Sequence, residues 1–152
     1  MTALSLVWAL RRRVFALLRV RTRGVKVLVV NAAGEVLLVR NAYGKQWQWV
    51  LPGGGVGLRE SPAEAALREL REETGCSAAG LELFARYISG LEGRVDTIDL
   101  FRATTADAPR VDRREIAEVG FFVRHRLPDQ TSPATLRRLG EVFGAGDVSP
   151  HW

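Results

Sequence analysis

This sequence is nearly without cysteine, methionine and histidine: 152 residues contain one cysteine, Cys76, one methionine and two histidines. A lone cysteine excludes an internal disulfide, and so few soft ligands exclude the usual zinc sites. A chain without disulfides suits a reducing compartment, so a cytoplasmic location is the expectation. The longest apolar stretch, Ala3 to Leu10, stops at Arg11-Arg12-Arg13, whereas about 20 apolar residues are needed to span a bilayer. A secretory signal carries its positive charge before the apolar run, and here the order is reversed. Acidic residues are missing from the first 26 positions, which carry six arginines and Lys26; from residue 27 onward there are 15 basic and 17 acidic residues. The net charge of +5 therefore belongs to the N-terminal segment and indicates no basic binding face on the body of the protein.

The rest of the composition, 47% hydrophobic and 26% charged, is that of one ordinary globular domain with a real core. The pattern divides it into a basic amphipathic helix within residues 1–23, a domain over 24–144 and a tail over 145–152. In the first segment Leu4, Val7, Trp8, Leu10, Val14, Phe15, Leu17 and Leu18 share one arc of a helical wheel, with arginines mostly opposite. Such a face must be covered. Packing on its own domain or in a homodimer is the expectation, with an anionic membrane surface or RNA as alternatives.

Val25 to Val30 and Glu35 to Arg40 read as strands around a turn at Asn31–Gly34, and Gln46 to Leu51 as a short extended piece. Ser61 to Thr74 is the clearest helix. Ser61 is placed to cap it, Pro62 occupies the first position, Glu64 completes a capping box and Gly75 stops it. Residues 81–89 and 95–103 read as strands around Glu92-Gly93, Val119 to Val123 as a further strand, and Ser132-Pro133 as the start of a last helix ending near Phe143. This order predicts an α+β layered fold.

The chemistry concentrates around the first helix. Glu69, Glu72 and Glu73 stand at i, i+3 and i+4, so they share a face, and Ala63, Ala66, Leu67 and Leu70 are expected to form the buried side. Like charges at that spacing repel by a few tenths of a kcal/mol each, which a hard divalent cation would relieve. Oxygen-only ligands favour Mg²⁺ or Mn²⁺, and Mg²⁺ is commonly shared with substrate phosphates.

From Gly54 the chain reads Gly, five residues, Glu60, seven residues, then Arg68-Glu69-Leu70-x-Glu72-Glu73-x-Gly75-Cys76. It resembles the Nudix box throughout, with Cys76 in place of the usual aliphatic residue. Trp49-Val-Leu-Pro52, Glu115-Ile-Ala-Glu118, Phe121-Phe122 and Leu127-Pro128 also look like Nudix sequence, so that residues 25–143 are covered.

The resemblance implies an α/β/α sandwich around a mixed sheet, with the extra N-terminal amphipathic helix outside it. It also implies hydrolysis of a pyrophosphate bond in a nucleoside diphosphate linked to another moiety. Metal ligands would be Glu69, Glu72, Glu73 and the backbone carbonyl of Gly53. Arg68 would orient the catalytic glutamates, with Glu60 likewise structural. Glu115 is the first choice of general base, Glu118 the second, and Glu69 serves in some members. Trp47, Trp49, Tyr87 and Phe84 are candidates to stack a nucleobase. The marks of the ADP-ribose, diadenosine polyphosphate and NADH subtypes are absent, leaving a nucleoside triphosphate or small nucleotide conjugate. A non-catalytic Nudix domain that binds a nucleotide or a protein partner is the other class; the intact glutamates weigh against it.

Overall fold

The computed structural model describes residues 22–44, 47–90, 96–111, 115–144 and 146–152. The expected helix within residues 1–23 falls almost entirely outside them, as does the Glu92-Gly93 turn. Among the described residues, seven strands form one mixed sheet: β1 (Thr22–Val30), β2 (Val36–Asn41), β3 (Trp49–Val50), β4 (Gly53–Gly55), β5 (Ala79–Ser89), β6 (Asp96–Thr104) and β7 (Ile116–Phe122). Two helices accompany them, α1 (Pro62–Thr74) and α2 (Pro133–Phe143).

The strand order is β3-β2-β1-β6-β5, with β7 on β2 and β4 on β1. β1 runs parallel to β6, from Thr22 opposite Asp96 to Val30 opposite Thr104. A parallel pair needs a crossover, and the intervening chain carries α1. β1 leaves for β2 through a turn closed by Asn31, whose Oδ1 accepts from Ala33 N at 3.0 Å and Glu35 N at 2.9 Å. At its opposite end β1 pairs with β4, placing Lys26 against Gly53 and Gly24 against Gly55. β4 is a strand that local propensity does not announce, because three glycines have little intrinsic preference for extended structure.

Alternation along β1 sorts the core into two layers. Val25, Val27 and Val29 face one side and pack with Leu37, Phe101 and the Ala65, Ala66 and Leu70 face of α1. Leu28 faces the other side, with Leu38, Leu51, Leu100, Tyr87 and Leu139 of α2. A helical layer thus covers each face of the sheet.

Two expectations need correction. The buried side of α1 contains Ala65, Ala66 and Leu70 together with Glu73 and Thr74, whereas Ala63 and Leu67 are exposed. The helix is rotated so that its last glutamate turns inward. The segment 146–152 is also no loose tail. Ile88 N donates to Pro150 O at 2.9 Å and Trp152 N to Ile88 O at 3.2 Å. The fully buried Arg138 donates to His151 O at 3.0 Å and lies over the rings of Tyr87 and Trp152.

Candidate active site

Capping fixes where α1 starts. The Ser61 hydroxyl accepts from Glu64 N at 3.1 Å, and the Glu64 carboxylate accepts from Ser61 N at 2.8 Å. Gly75 ends the helix in the left-handed region at φ 71° and donates to Arg71 O, a conformation that costs glycine little. Between β4 and α1 the chain turns back through Gly57, whose N–H donates to Glu60 Oε2 at 2.8 Å.

Arg68 joins the loop to the helix. Its Nε and Nη2 grip both oxygens of Glu60 at 2.7 and 2.9 Å, and Nη2 also reaches Gly55 O at 2.9 Å. Its Nη1 donates to Glu69 Oε1 at 2.8 Å and to Glu72 Oε2 at 3.2 Å. The guanidinium is well suited to this because it offers several donors in a fixed plane. Its hydrogen bonds, with help from the Gly57 N–H, hold the Glu60 carboxyl down at about 2. Arg68 thus ties Glu60 to Glu69 and Glu72 through one guanidinium.

Behind this fork the carboxylates become progressively drier. Glu72 is exposed, Glu69 is largely covered, and Glu73 is buried. Glu73 Oε2 accepts the Gly53 N–H at 2.9 Å. Burial pushes the Glu73 carboxyl up to about 7, and repulsion from Glu69 and Glu115 adds to this against the pull of Lys26 and the Gly53 N–H. Burial likewise raises Glu69, with Glu72 and Glu115 adding and Arg68 opposing. Among the described residues the acidic, histidine and cysteine side chains form no ready-made metal cage. Glu69 and Glu72 are turned to Arg68, and Glu73 to Gly53.

These groups line one cleft of about 580 Å³ with Gly53 to Gly57, Arg68, Glu115, Asn41 and Tyr43. Glu115 precedes β7 and Asn41 ends β2, and Ala42 N donates to Glu115 O at 2.8 Å. This contact brings the sequence-predicted base to the box from more than forty residues away. Glu118 lies elsewhere, paired with Arg40 across β2 and β7 at 2.7 Å. Asn41 and Tyr43 were not among the sequence candidates, because nothing local marks the end of β2 as facing the box. The signal is the strand register, which the sequence leaves implicit.

The aromatic candidates do not gather at this cleft. Tyr87 is fully buried, and its hydroxyl donates to Glu141 Oε2 at 2.7 Å, so it has no face to offer a base. Trp49 packs edge-on against Phe122 at 4.8 Å, while its backbone pairs with Gln130 and Ser132. Phe84 packs on the second core layer beneath Arg102. Trp47 alone of the four is largely exposed, at 54%, and it does not line the carboxylate cleft.

Comparison with known proteins agrees with this construction. The family model described as the NUDIX domain matches residues 20–140. The chain belongs to the Nudix family. A provisionally named 8-oxo-dGTP diphosphatase of Bacillus subtilis is 47% identical over 133 residues, covering 84% of this chain and 85% of that protein. An RNA pyrophosphohydrolase of Pseudomonas aeruginosa is 41% identical over 61 residues, but the match covers only 40% of this chain and 37% of that enzyme. The crystal structure of a MutT NUDIX hydrolase from Burkholderia pseudomallei superposes with a TM-score of 0.71 at 25% identity, over 81% of this chain and 98% of that one. A UDP-X diphosphatase structure gives a TM-score of 0.67 at 27% identity, over 82% of this chain and 63% of that one. Family membership and these neighbours support a hydrolase of the α+β Nudix fold. Among the described residues no helix is long and apolar enough to cross a membrane.

Proposed function

We propose that this Nudix hydrolase cleaves the pyrophosphate bond of a nucleoside triphosphate, or of a small nucleotide conjugate, with Mg²⁺ or Mn²⁺ bound in the carboxylate cleft. The observation that carries the reading is the meeting of Glu69, Glu72, Glu73, Glu115 and the glycine loop in one cleft. Buried carboxylates raised above their ordinary range are under-compensated, and oxygen donors of this kind suit a hard divalent cation. Glu69, Glu72, Glu73 and the Gly53 carbonyl would hold it. When bound, such a cation neutralises phosphate charge and acidifies a coordinated water.

The chain's own residues do the rest. Arg68 keeps Glu69 and Glu72 at the cleft wall and ties both to Glu60 and Gly55. Glu115 takes the proton from the water that attacks phosphorus, which requires it at the cleft rather than in an ion pair. Trp47 is the stacking candidate that keeps an open face. The match over most of both chains to a protein named for 8-oxo-dGTP hydrolysis supports a nucleoside triphosphate as the first substrate to try.

The test is a panel of nucleoside triphosphates, 8-oxo-dGTP and nucleotide conjugates, incubated with Mg²⁺ and resolved by anion-exchange chromatography. Nucleoside monophosphate and pyrophosphate from a triphosphate are the expected products. Tight nucleotide binding without turnover across the panel would instead establish a binding module.

A further inference from the structure

Lys26 is out of character for this chain. Twenty of the 22 basic residues are arginine, and Lys26 and Lys45 are the two exceptions. Lys26 lies in the middle of β1, where its neighbours on both sides are fully buried valines. Its Nζ donates to Leu51 O at 2.9 Å. Among the described residues no carboxylate stands within ion-pair distance of it, although Glu73 and Glu69 both feel its charge. A half-buried lysine bonded to a backbone carbonyl, with no carboxylate at ion-pair distance among the described residues, loses hydration without an ion pair in return.

What it holds is the approach to the glycine loop. The backbone of Lys26 pairs with Gly53, and Val27 N donates to Pro52 O at 2.9 Å. The side chain passes so close to Gly53 that a Cβ there would lie 2.9 Å from Lys26 Cδ. Three successive residues, Leu51, Pro52 and Gly53, are therefore held by Lys26 and its neighbour from one side. The Gly53 N–H is held by Glu73 from the other.

We propose that Lys26 is a positioning residue for the catalytic loop: by holding the Leu51 carbonyl and backing Gly53 it fixes the direction of the Gly53 carbonyl and keeps Glu73 in place. This rests on the reading of the cleft as a metal-dependent hydrolase site. Arginine, so abundant elsewhere, would not serve here. Its planar guanidinium is longer and wider than the compact ammonium that ends on the single Leu51 carbonyl.

The experiment compares wild type with Lys26→Met, which keeps an unbranched chain and removes the donor and charge, and with Lys26→Arg. In metal-free protein, backbone amide exchange at Gly53 is read by NMR; Mn²⁺ binding without substrate is read by electron paramagnetic resonance. Both variants are expected to exchange Gly53 at least about tenfold faster, to bind Mn²⁺ several-fold more weakly, and to lose at least about tenfold in kcat with KM changed less than about twofold, the scale seen when a group that orients a metal ligand is removed. A lower melting temperature with wild-type Gly53 exchange and Mn²⁺ affinity would overturn the proposal in favour of a purely structural lysine. Full rescue by Lys26→Arg would overturn the argument from shape. Should Lys26→Met fail to fold, the same measurements on Lys26→Arg decide the matter. If wild type lacks Mg²⁺-dependent turnover, the hydrolase reading fails on that result alone; the exchange and Mn²⁺ measurements still judge Lys26.

Discussion

The carboxylate of Glu73 accepts the backbone N–H of Gly53 at 2.9 Å, across twenty residues of chain. The last glutamate of the helix is therefore sewn to the first glycine of the loop. It is also buried, with its carboxyl pushed up to about 7. One residue both shapes the cleft and sets its charge.

A pH dependence of stability follows. Unfolded, the Glu73 carboxyl titrates near 4.5; folded, near 7. Between those values the folded state keeps a proton that the unfolded state releases, so metal-free stability falls as pH rises through this window. Above pH 7 the full penalty applies, on the order of 3 kcal/mol for a shift of this size. Glu73→Gln keeps an acceptor for Gly53 and carries no charge. In EDTA, melting curves from pH 5 to pH 8 are expected to flatten in this variant and to show it more stable than wild type at pH 8. Equal slopes would assign the burden to another group. In wild type, Mg²⁺ is expected to raise the melting temperature more at pH 8 than at pH 5.5, because it must displace the proton at the lower pH.

Gly54→Ala separates fold from function. A methyl on Gly54 would overlap the Glu69 carboxylate, the mobile end of a long side chain. The carboxylate can swing aside at little cost to folding, but not without leaving its place beside Arg68. The expected result is a melting temperature within a few degrees of wild type and a kcat lower by at least roughly tenfold, since misplacing a catalytic group by about 1 Å is that costly or more. Unchanged turnover would show that Glu69 need not occupy its present position.

How much of this was legible beforehand depends on whether a feature is local. The α1 boundaries were, because Ser61, Pro62, Glu64 and Gly75 act within one turn of their own positions. The β1–β2 hairpin was, because Asn31 and Gly34 close it locally. The glutamate constellation was, because helical spacing alone puts Glu69, Glu72 and Glu73 together. The rotation of α1 was not: Ala63 and Ala65 are alike in composition, and only the sheet decides that Ala65 is covered. Tyr87 looked available for stacking because its partners Glu141, Arg138 and Trp152 lie more than fifty residues away. β4 and the docked segment 146–152 exist through pairing with β1 and Ile88, which no local pattern announces.

Arg68→Lys tests the fork. Lysine keeps the charge but offers one ammonium in place of a planar set of donors. It can reach Glu60 or Glu69, not both together with Gly55. We expect kcat to fall by at least about tenfold, with nucleotide KM changed less, as for loss of an interaction made chiefly in the transition state. A wild-type kcat would mean that charge alone is needed at this position.

The catalytic assignment itself stands on Glu72 and Glu73. Glu72→Gln and Glu73→Gln are each expected to lower kcat by at least roughly a hundredfold, the scale of losing a preorganised charge at a phosphoryl centre. Their structural consequences should differ. Glu72 is exposed and, among the described residues, bonded only to Arg68 Nη1, so its neutralisation is expected to leave the metal-free melting temperature nearly unchanged. Glu73 is buried, so its neutralisation relieves a desolvated charge. Glu64→Gln is the control in the same helix. Its carboxylate accepts from Ser61 N, a role glutamine can fill, and turnover should stay near wild type. Equal loss in all three variants would point to helix damage rather than chemistry. A stabilised Glu73→Gln beside an unshifted Glu72→Gln, with equal losses of turnover, would instead show two carboxylates in different surroundings serving one cation.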